Sequence, residues 1–164
     1  MSAVATPSAS VDEQRIAAIV ERHRHREGPL IEVLHEVQEH YGCIPNGAVA
    51  VIARTLNLSR AEVHGVVTFY HHFRTRAPGR HVLQVCRAES CQAAGGRALE
   101  KHAVARLGVG FGGTTPDGRM TLEAVYCLGL CACSPAAMLD GEVHGRLTKE
   151  RLDALLDADA AVKA

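Results

Sequence analysis

The chain has no tryptophan, and only three tyrosines and three phenylalanines among its 164 residues. So thin an aromatic supply leaves no platform on which bases could stack. Neither sign of charge is in excess, because 18 Lys and Arg balance 18 Asp and Glu. A nucleic-acid footprint would show as surplus or clustered basic charge, and no such partner is expected. No apolar run approaches the about 18 residues that a membrane-spanning helix needs. The opening "MSAVATPSAS" lacks a basic stretch followed by an apolar one, so it does not read as a signal peptide. Residues 1–11 read instead as a disordered tail. A cytoplasmic location is the resulting expectation. Thiols stay reduced there, and clustered cysteines favour metal binding or catalysis over disulfides. Two motifs are also missing. There is no C-x-x-C pair of the thioredoxin redox type. "GVGFGG" at 108–113 has no strand before it and no helix after it, so it reads as a loop and not as a nucleotide fingerprint.

What is present can build one or two small domains. Hydrophobic residues make up 47% of the chain, enough for a core. Ten histidines are scattered, and "HRH" at 23–25 and "HH" at 71–72 read as exposed helical faces.

The first half has helical periodicity. Ile16, Ile19 and Val20 share a face, with acidic residues early in the segment where they suit the helix dipole. Leu30, Ile31, Leu34, Val37 and Tyr41 share the next, closed by Gly42. Val49, Ile52, Ala53 and Leu56 mark a third. Ser59 followed by Glu62 is a capping box that opens a fourth. Four helices this short bury one another poorly, so a further partner surface is expected, and the apolar run "GVVTFY" at 65–70 is part of it. "TRAPGR" at 75–80 is a linker.

The second half changes character. "HVLQVC" alternates as a short strand ending on Cys86. A helix follows to Leu107, closed by Gly108. A Pro116-Asp117-Gly118 turn leads into a strand toward Cys127, and Asp140-Gly141 turns a hairpin. Thr148 caps a last helix carrying Leu152, Leu155 and Leu156. The fold class is therefore α+β, an N-terminal helical bundle followed by a thioredoxin-like α/β domain.

The chemistry lies in the cysteines. Cys86 and Cys91 are spaced C-x4-C, and Cys127 and Cys131 are spaced C-x3-C within "CLGLCACS". With the two strands adjacent, four thiolates converge from two loops. Such a set suits a tetrahedral four-sulfur metal site or a [2Fe–2S] cluster with two cysteines on each iron. Structural zinc stays open, although it more often uses C-x2-C knuckles. Gly129, Gly95 and Gly96 would let backbone N–H groups reach the sulfurs of a negatively charged cluster.

"YGCIPNGAVAVIARTLNLSRAEVHGVVTFYHHF", "HVLQVCRAESCQAAGG" and "YCLGLCACSPAAMLDGEVHGRLT" resemble the 24-kDa-type subunit of respiratory NADH dehydrogenase and its relatives. These relatives include the gamma subunit of soluble NAD-dependent molybdenum formate dehydrogenases and a subunit of NAD-coupled hydrogenases. The resemblance covers about residues 15–152, and "CRAESCQAAGG" is closest to the formate dehydrogenase wording. It implies a helical docking domain at 12–74, a linker at 75–80 and a thioredoxin-like [2Fe–2S] domain at 81–164. It implies Cys86, Cys91, Cys127 and Cys131 as ligands of one cluster, with Cys43 as a packing residue and Cys133 near the cluster but not bonded to it. It further implies a directly docked flavin- and NAD-binding subunit. FMN, NAD, further iron–sulfur clusters and a molybdenum cofactor would lie on that subunit and on a molybdenum and iron–sulfur catalytic subunit. The whole enzyme would convert formate and NAD+ to CO2 and NADH, and this chain would relay single electrons near the flavin without turning over substrate itself. The equivalent subunit of NADH:quinone oxidoreductase or of an NAD-coupled hydrogenase is the alternative, and a zinc-stabilised interaction module is the alternative of another class. On the cluster reading, Arg87 is expected to place a positive charge beside the iron.

Overall fold

The structure, a computed structural model, describes residues 12–161, and the tail expected at 1–11 lies outside them. The chain divides between Ala77 and Pro78 into two compact units. The division falls inside the stretch read as a linker.

The first unit has four helices, α1 (Glu13–His23), α2 (Leu30–Tyr41), α3 (Asn46–Leu56) and α4 (Arg60–Phe69). Each end has a local cause. Asp12 caps α1 by accepting the Arg15 N–H at 3.1 Å. Gly42 (φ 74°) closes α2 and Asn57 (φ 56°) closes α3, both in the left-handed region. The Ser59–Glu62 box is reciprocal. The Glu62 N–H donates to Ser59 Oγ at 3.1 Å, and the Ser59 N–H donates to Glu62 Oε2 at 2.7 Å. Ile16, Val20, Val33, Leu34, Val37, Ile52 and Val63 are fully enclosed in the shared core.

Two expectations for this unit need correction. On α2, Val33 and Gln38 are buried, whereas Ile31 is 38% exposed. Gln38 faces inward because the segment after α4 needs partners for its backbone. Its Nε2 donates to the His72 carbonyl at 2.9 Å, and its Oε1 accepts the Arg74 N–H at 2.6 Å. His71 and His72 are exposed, but they lie on the turn past the end of α4 and not on a helical face. His23 ends α1 but is largely covered, its Nε2 meeting Glu36 Oε2 at 2.6 Å, and Arg24 and His25 follow on a turn and not on a helical face.

The second unit is a four-stranded sheet in the order β2-β1-β3-β4. Its strands are β1 (His81–Cys86), β2 (Met120–Val125), β3 (Ala137–Leu139) and β4 (Glu142–His144). β1 and β2 run parallel, in register from His81 opposite Met120 to Cys86 opposite Val125. β3 is antiparallel to β1, and β4 to β3 across the Asp140-Gly141 turn. Asp140 also ties that turn to β1, since its Oδ1 accepts the Val82 N–H at 2.8 Å and its Oδ2 meets His81 Nδ1 at 2.6 Å. Helices α6 (Gly96–Leu107) and α7 (Lys149–Ala161) supply Leu99, Ala103, Leu107, Leu152 and Leu156 to a core with Leu83, Val85, Met120 and Leu122. The alternate positions Gln84 and Glu123 pair across the strands on the other face, at 2.9 Å. The loop after α6 pairs with the outer edge of β2: the Gly112 N–H donates to the Leu122 carbonyl at 2.7 Å, and the Leu122 N–H to the Gly113 carbonyl at 3.0 Å.

The α+β class holds, with two differences in detail. A separate short helix, α5 (Glu89–Ala93), precedes α6, because Gly95 (φ 95°) breaks the chain direction between them. β2 ends at Val125, two residues before Cys127. No helix among the described residues is long and apolar enough to cross a membrane.

Truncating the core of the helical unit at Leu34→Ala is expected to cost about 2–5 kcal/mol, against about 1 kcal/mol for removing the cap at Ser59→Ala. Urea unfolding followed by circular dichroism checks both. Equal effects of the two would contradict the packing described here.

Candidate metal centre

The parallel pairing of β1 and β2 places both strand ends at one edge of the sheet. Cys86 is the last paired residue of β1. Its N–H donates to the Ala136 carbonyl at 3.0 Å, and the next N–H, of Arg87, donates to the Val125 carbonyl at 2.8 Å. The backbone at Cys86 is thus fixed from both neighbours. Cys91 sits on α5, one turn further on. Cys86 and Cys91 are each 2% exposed and pack with Ala136 under Ala88, Val125, Leu128 and Leu130.

Cys127 and Cys131 come from the loop after β2 and are exposed. Cys127 adopts φ 98°, a left-handed backbone that a side-chain-bearing residue rarely takes. A residue held there marks a place where surrounding structure imposes the conformation. The Gly129 N–H approaches Cys127 Sγ at 3.4 Å, and Cys131 opens a short 3-10 turn, Cys131–Cys133. The two sulfurs, Cys127 Sγ and Cys131 Sγ, lie 3.7 Å apart. Two metal–sulfur bonds of about 2.3 Å at a tetrahedral angle separate their sulfurs by about 3.75 Å. The pair is therefore spaced to share one metal.

The other three thiols act on Cys131. The Cys131 thiol is held above its ordinary value, first by its hydrogen bond with Cys127 and the charge there, then by desolvation, and last by the charges of Cys91 and Cys86. Four thiolates brought this close repel, and a bound cation offsets that repulsion while displacing their protons. Among the described residues, no three His, Cys, Asp or Glu side chains gather at a single metal-sized point. One close pair, Cys127 and Cys131, is defined, with the charges of Cys91 and Cys86 within reach of it.

The other sequence-predicted residues fall as follows. Cys43 is half-buried in the helical unit, and burial pushes its thiol up. Cys133 turns toward the β4 end, where a Cβ built on Gly145 would come within 2.8 Å of the Cys133 Cβ. Arg87 does not address the sulfurs. Its Nε pairs with Glu100 Oε2 at 3.2 Å, and its guanidinium sits 5.0 Å from the centre of the Phe111 ring. Of the three glycines expected to offer N–H groups to sulfur, Gly129 does so. Gly95 instead donates to the Gln92 carbonyl at 3.2 Å. Gly96 has a steric role, because a Cβ there would lie 2.6 Å from the Cys91 carbonyl oxygen. Sequence reasoning missed α5 itself and a pair of serines, Ser90 and Ser134, that join the two loops at 2.9 Å. Neither has a spacing signal, although Ser90 directly precedes the candidate ligand Cys91.

The profile of the thioredoxin-like [2Fe–2S] ferredoxin family matches residues 16–159. The chain belongs to this family. Among similar curated proteins is a subunit of the NADH-quinone oxidoreductase of Pseudomonas aeruginosa, 36% identical over 151 residues that cover 90% of this chain and 91% of that one. The corresponding NADH-quinone oxidoreductase subunit of Escherichia coli strain K12 is 36% identical over 143 residues, covering 85% of this chain and 86% of that one. The HndA subunit of the NADP-reducing hydrogenase of Solidesulfovibrio fructosivorans is 29% identical over 143 residues, covering 87% and 84%. A solved NAD+-reducing [NiFe]-hydrogenase in the air-oxidised state superposes with a TM-score of 0.70 at 29% identity over 88% of this chain. The chain spans 24% of the length of that solved hydrogenase chain. A ferredoxin of this family is an electron-transfer protein with one [2Fe–2S] cluster, and the paired thiols here fit that group.

Gly96→Ala forces a methyl group against the Cys91 carbonyl. The expected outcome is a loss of about 1–3 kcal/mol, the usual cost of overpacking, together with lower iron retention. Thermal unfolding and iron analysis of the purified chain check it, and parental values for both would contradict the contact.

Proposed function

We propose that this chain is the [2Fe–2S] electron-transfer subunit of a multi-subunit NAD-linked oxidoreductase. In this reading Cys86, Cys91, Cys127 and Cys131 are the cluster ligands, with Cys127 and Cys131 on one iron. The observation that carries it is the 3.7 Å spacing of the Cys127 and Cys131 sulfurs at the edge where β1 and β2 both end. Bound there, the cluster supplies a one-electron relay that can stand between a two-electron carrier and one-electron acceptors.

The residues around it hold the ligands in place. β1 fixes Cys86, α5 presents Cys91, and the left-handed Cys127 with the Gly129 N–H orients the outer pair. Flavin and NAD are assigned to a partner subunit, as the resemblance to the NADH dehydrogenase subunits implies and as the lack of a strand–glycine–helix nucleotide fingerprint supports. The relatives named above are subunits of NADH-quinone oxidoreductase and of hydrogenases, which supports an NAD-linked complex. Formate dehydrogenase is the finer assignment. It rests on the wording "CRAESCQAAGG", and would place a molybdenum-bearing catalytic subunit in the same assembly. All six cysteines are free, as a reducing compartment such as the cytoplasm would keep them.

The helical unit is proposed as the docking domain. Phe69 is 73% exposed and Tyr70 is 42% exposed, side by side at the end of α4. Exposed large apolar side chains grouped in this way mark interfaces.

The ligand assignment is tested by substitution. Cys127→Ser and Cys131→Ser are expected to lose most of the iron, because an oxygen ligand is a poor substitute for a soft thiolate. Cys43→Ala and Cys133→Ala should keep parental iron. The parent should be red-brown, carry iron and sulfide in equal amounts and give a rhombic electron-paramagnetic signal on reduction. A colourless chain that holds zinc would overturn the electron-transfer reading in favour of an interaction module. Copurification of the native chain tests the complex: a flavin subunit with molybdenum supports formate dehydrogenase, and a flavin subunit with nickel supports a hydrogenase.

A further inference from the structure

Ser90 belongs to the first cysteine loop and Ser134 to the second. Their hydroxyls lie 2.9 Å apart. Each is also placed to donate to the Cys131 carbonyl oxygen, at 3.0 Å. Ser134 Oγ is 3.5 Å from Cys91 Sγ. Both serines are half-buried, and Cys91 is 2% exposed.

Counting protons limits the donors. The two hydroxyls have two protons to give, and the acceptors around them are the Cys131 carbonyl, the Cys91 sulfur and each other's oxygen. As a thiol, Cys91 can donate its own S–H to Ser134. As a metal-bound thiolate it has lost that proton and can only accept. Ser134 must then either turn its O–H to the sulfur or leave a buried anionic acceptor without this donor. Ser90 can serve the Cys131 carbonyl, which frees Ser134 to make that choice.

We infer that Ser134 tunes the cluster by donating its hydroxyl to the Cys91 thiolate, and that Ser90 is the positioning residue that holds it there. This rests on the cluster reading proposed above. A hydrogen bond to a ligand sulfur draws electron density from it and stabilises the more negative, reduced state. The exposed side of the site has a backbone donor, from Gly129 to Cys127 at 3.4 Å. The buried side has a side-chain donor, so substitution can remove it without disturbing the main chain.

The test uses the full chain loaded with its cluster. Iron content and the midpoint of a redox titration, followed by the paramagnetic signal, are measured for Ser134→Ala, Ser134→Thr and Ser90→Ala. Ser134→Ala is expected to keep its iron and shift to lower potential, by up to about tenfold in the reduced-to-oxidised ratio, about 59 mV for a one-electron couple. Ser134→Thr keeps the hydroxyl and should stay near the parent. Ser90→Ala should shift in the same direction by less. A loaded Ser134→Ala at the parental potential overturns the tuning role alone. So does a threonine variant that shifts as far as the alanine one, since packing would then be the cause. If Ser134→Ala fails to load, Ser90→Ala decides: parental potential there overturns the inference, and a lowered one supports it. A parent chain without iron overturns the cluster reading, and this inference with it.

Discussion

The parallel pairing of β1 with β2 is the constraint on which the site depends. Antiparallel neighbours would carry Cys86 and Cys127 to opposite edges of the sheet, and no loop of this length could reunite them. Parallel strands need a crossover of a dozen or more residues between them. Here α5, α6 and the loop after α6 provide it, and α5 presents Cys91 on the way. The connection required by topology thus also holds one of the candidate ligands. Leu99, Ala103 and Leu107 of α6 bury against the same strands, so the core and the site are fixed by one packing arrangement.

Bringing four thiols to one edge carries an electrostatic cost, visible in the raised Cys131 thiol. The fold distributes that cost unevenly. Cys86 and Cys91 lie among apolar side chains, where charge is expensive and where hydroxyl and peptide donors are the means of offsetting it. Cys127 and Cys131 face outward, where solvent or a neighbouring chain can screen them. The two halves of the site therefore sit in different dielectric surroundings.

Much of this was legible in the sequence because it is encoded locally. The capping box at Ser59, the glycine stop at Gly42 and the Asp140-Gly141 turn each depend on residues a few positions apart. The cysteine spacing was legible for the same reason, because the members of each pair are only four or five positions apart. What escaped depends on contacts between distant segments. Ser90 and Ser134 are 44 positions apart, and nothing in either loop alone announces their meeting. Gln38 looks like a surface residue by its polarity alone, although it falls on the inner face of α2, where the backbone of His72 and Arg74 calls for partners. Arg87 follows a candidate ligand directly, yet Glu100 and Phe111, contributed by α6 and the loop after it, set its direction. Neighbourhood in sequence placed the cysteines and the Gly129 N–H, but not the meeting of Ser90 with Ser134 or the direction of Arg87.

The loop that pairs with the outer edge of β2 has a consequence for association. By taking up the Leu122 N–H and carbonyl, it removes the donor and acceptor that an incoming strand would use. The opposite edge is β4, only three residues long. The sheet therefore offers little template for growth by strand addition, and two copies meeting in solution have no long ladder to zip together. Association through this sheet is left to side chains and surface shape. That favours partners with a matching surface over indiscriminate pairing with any extended chain.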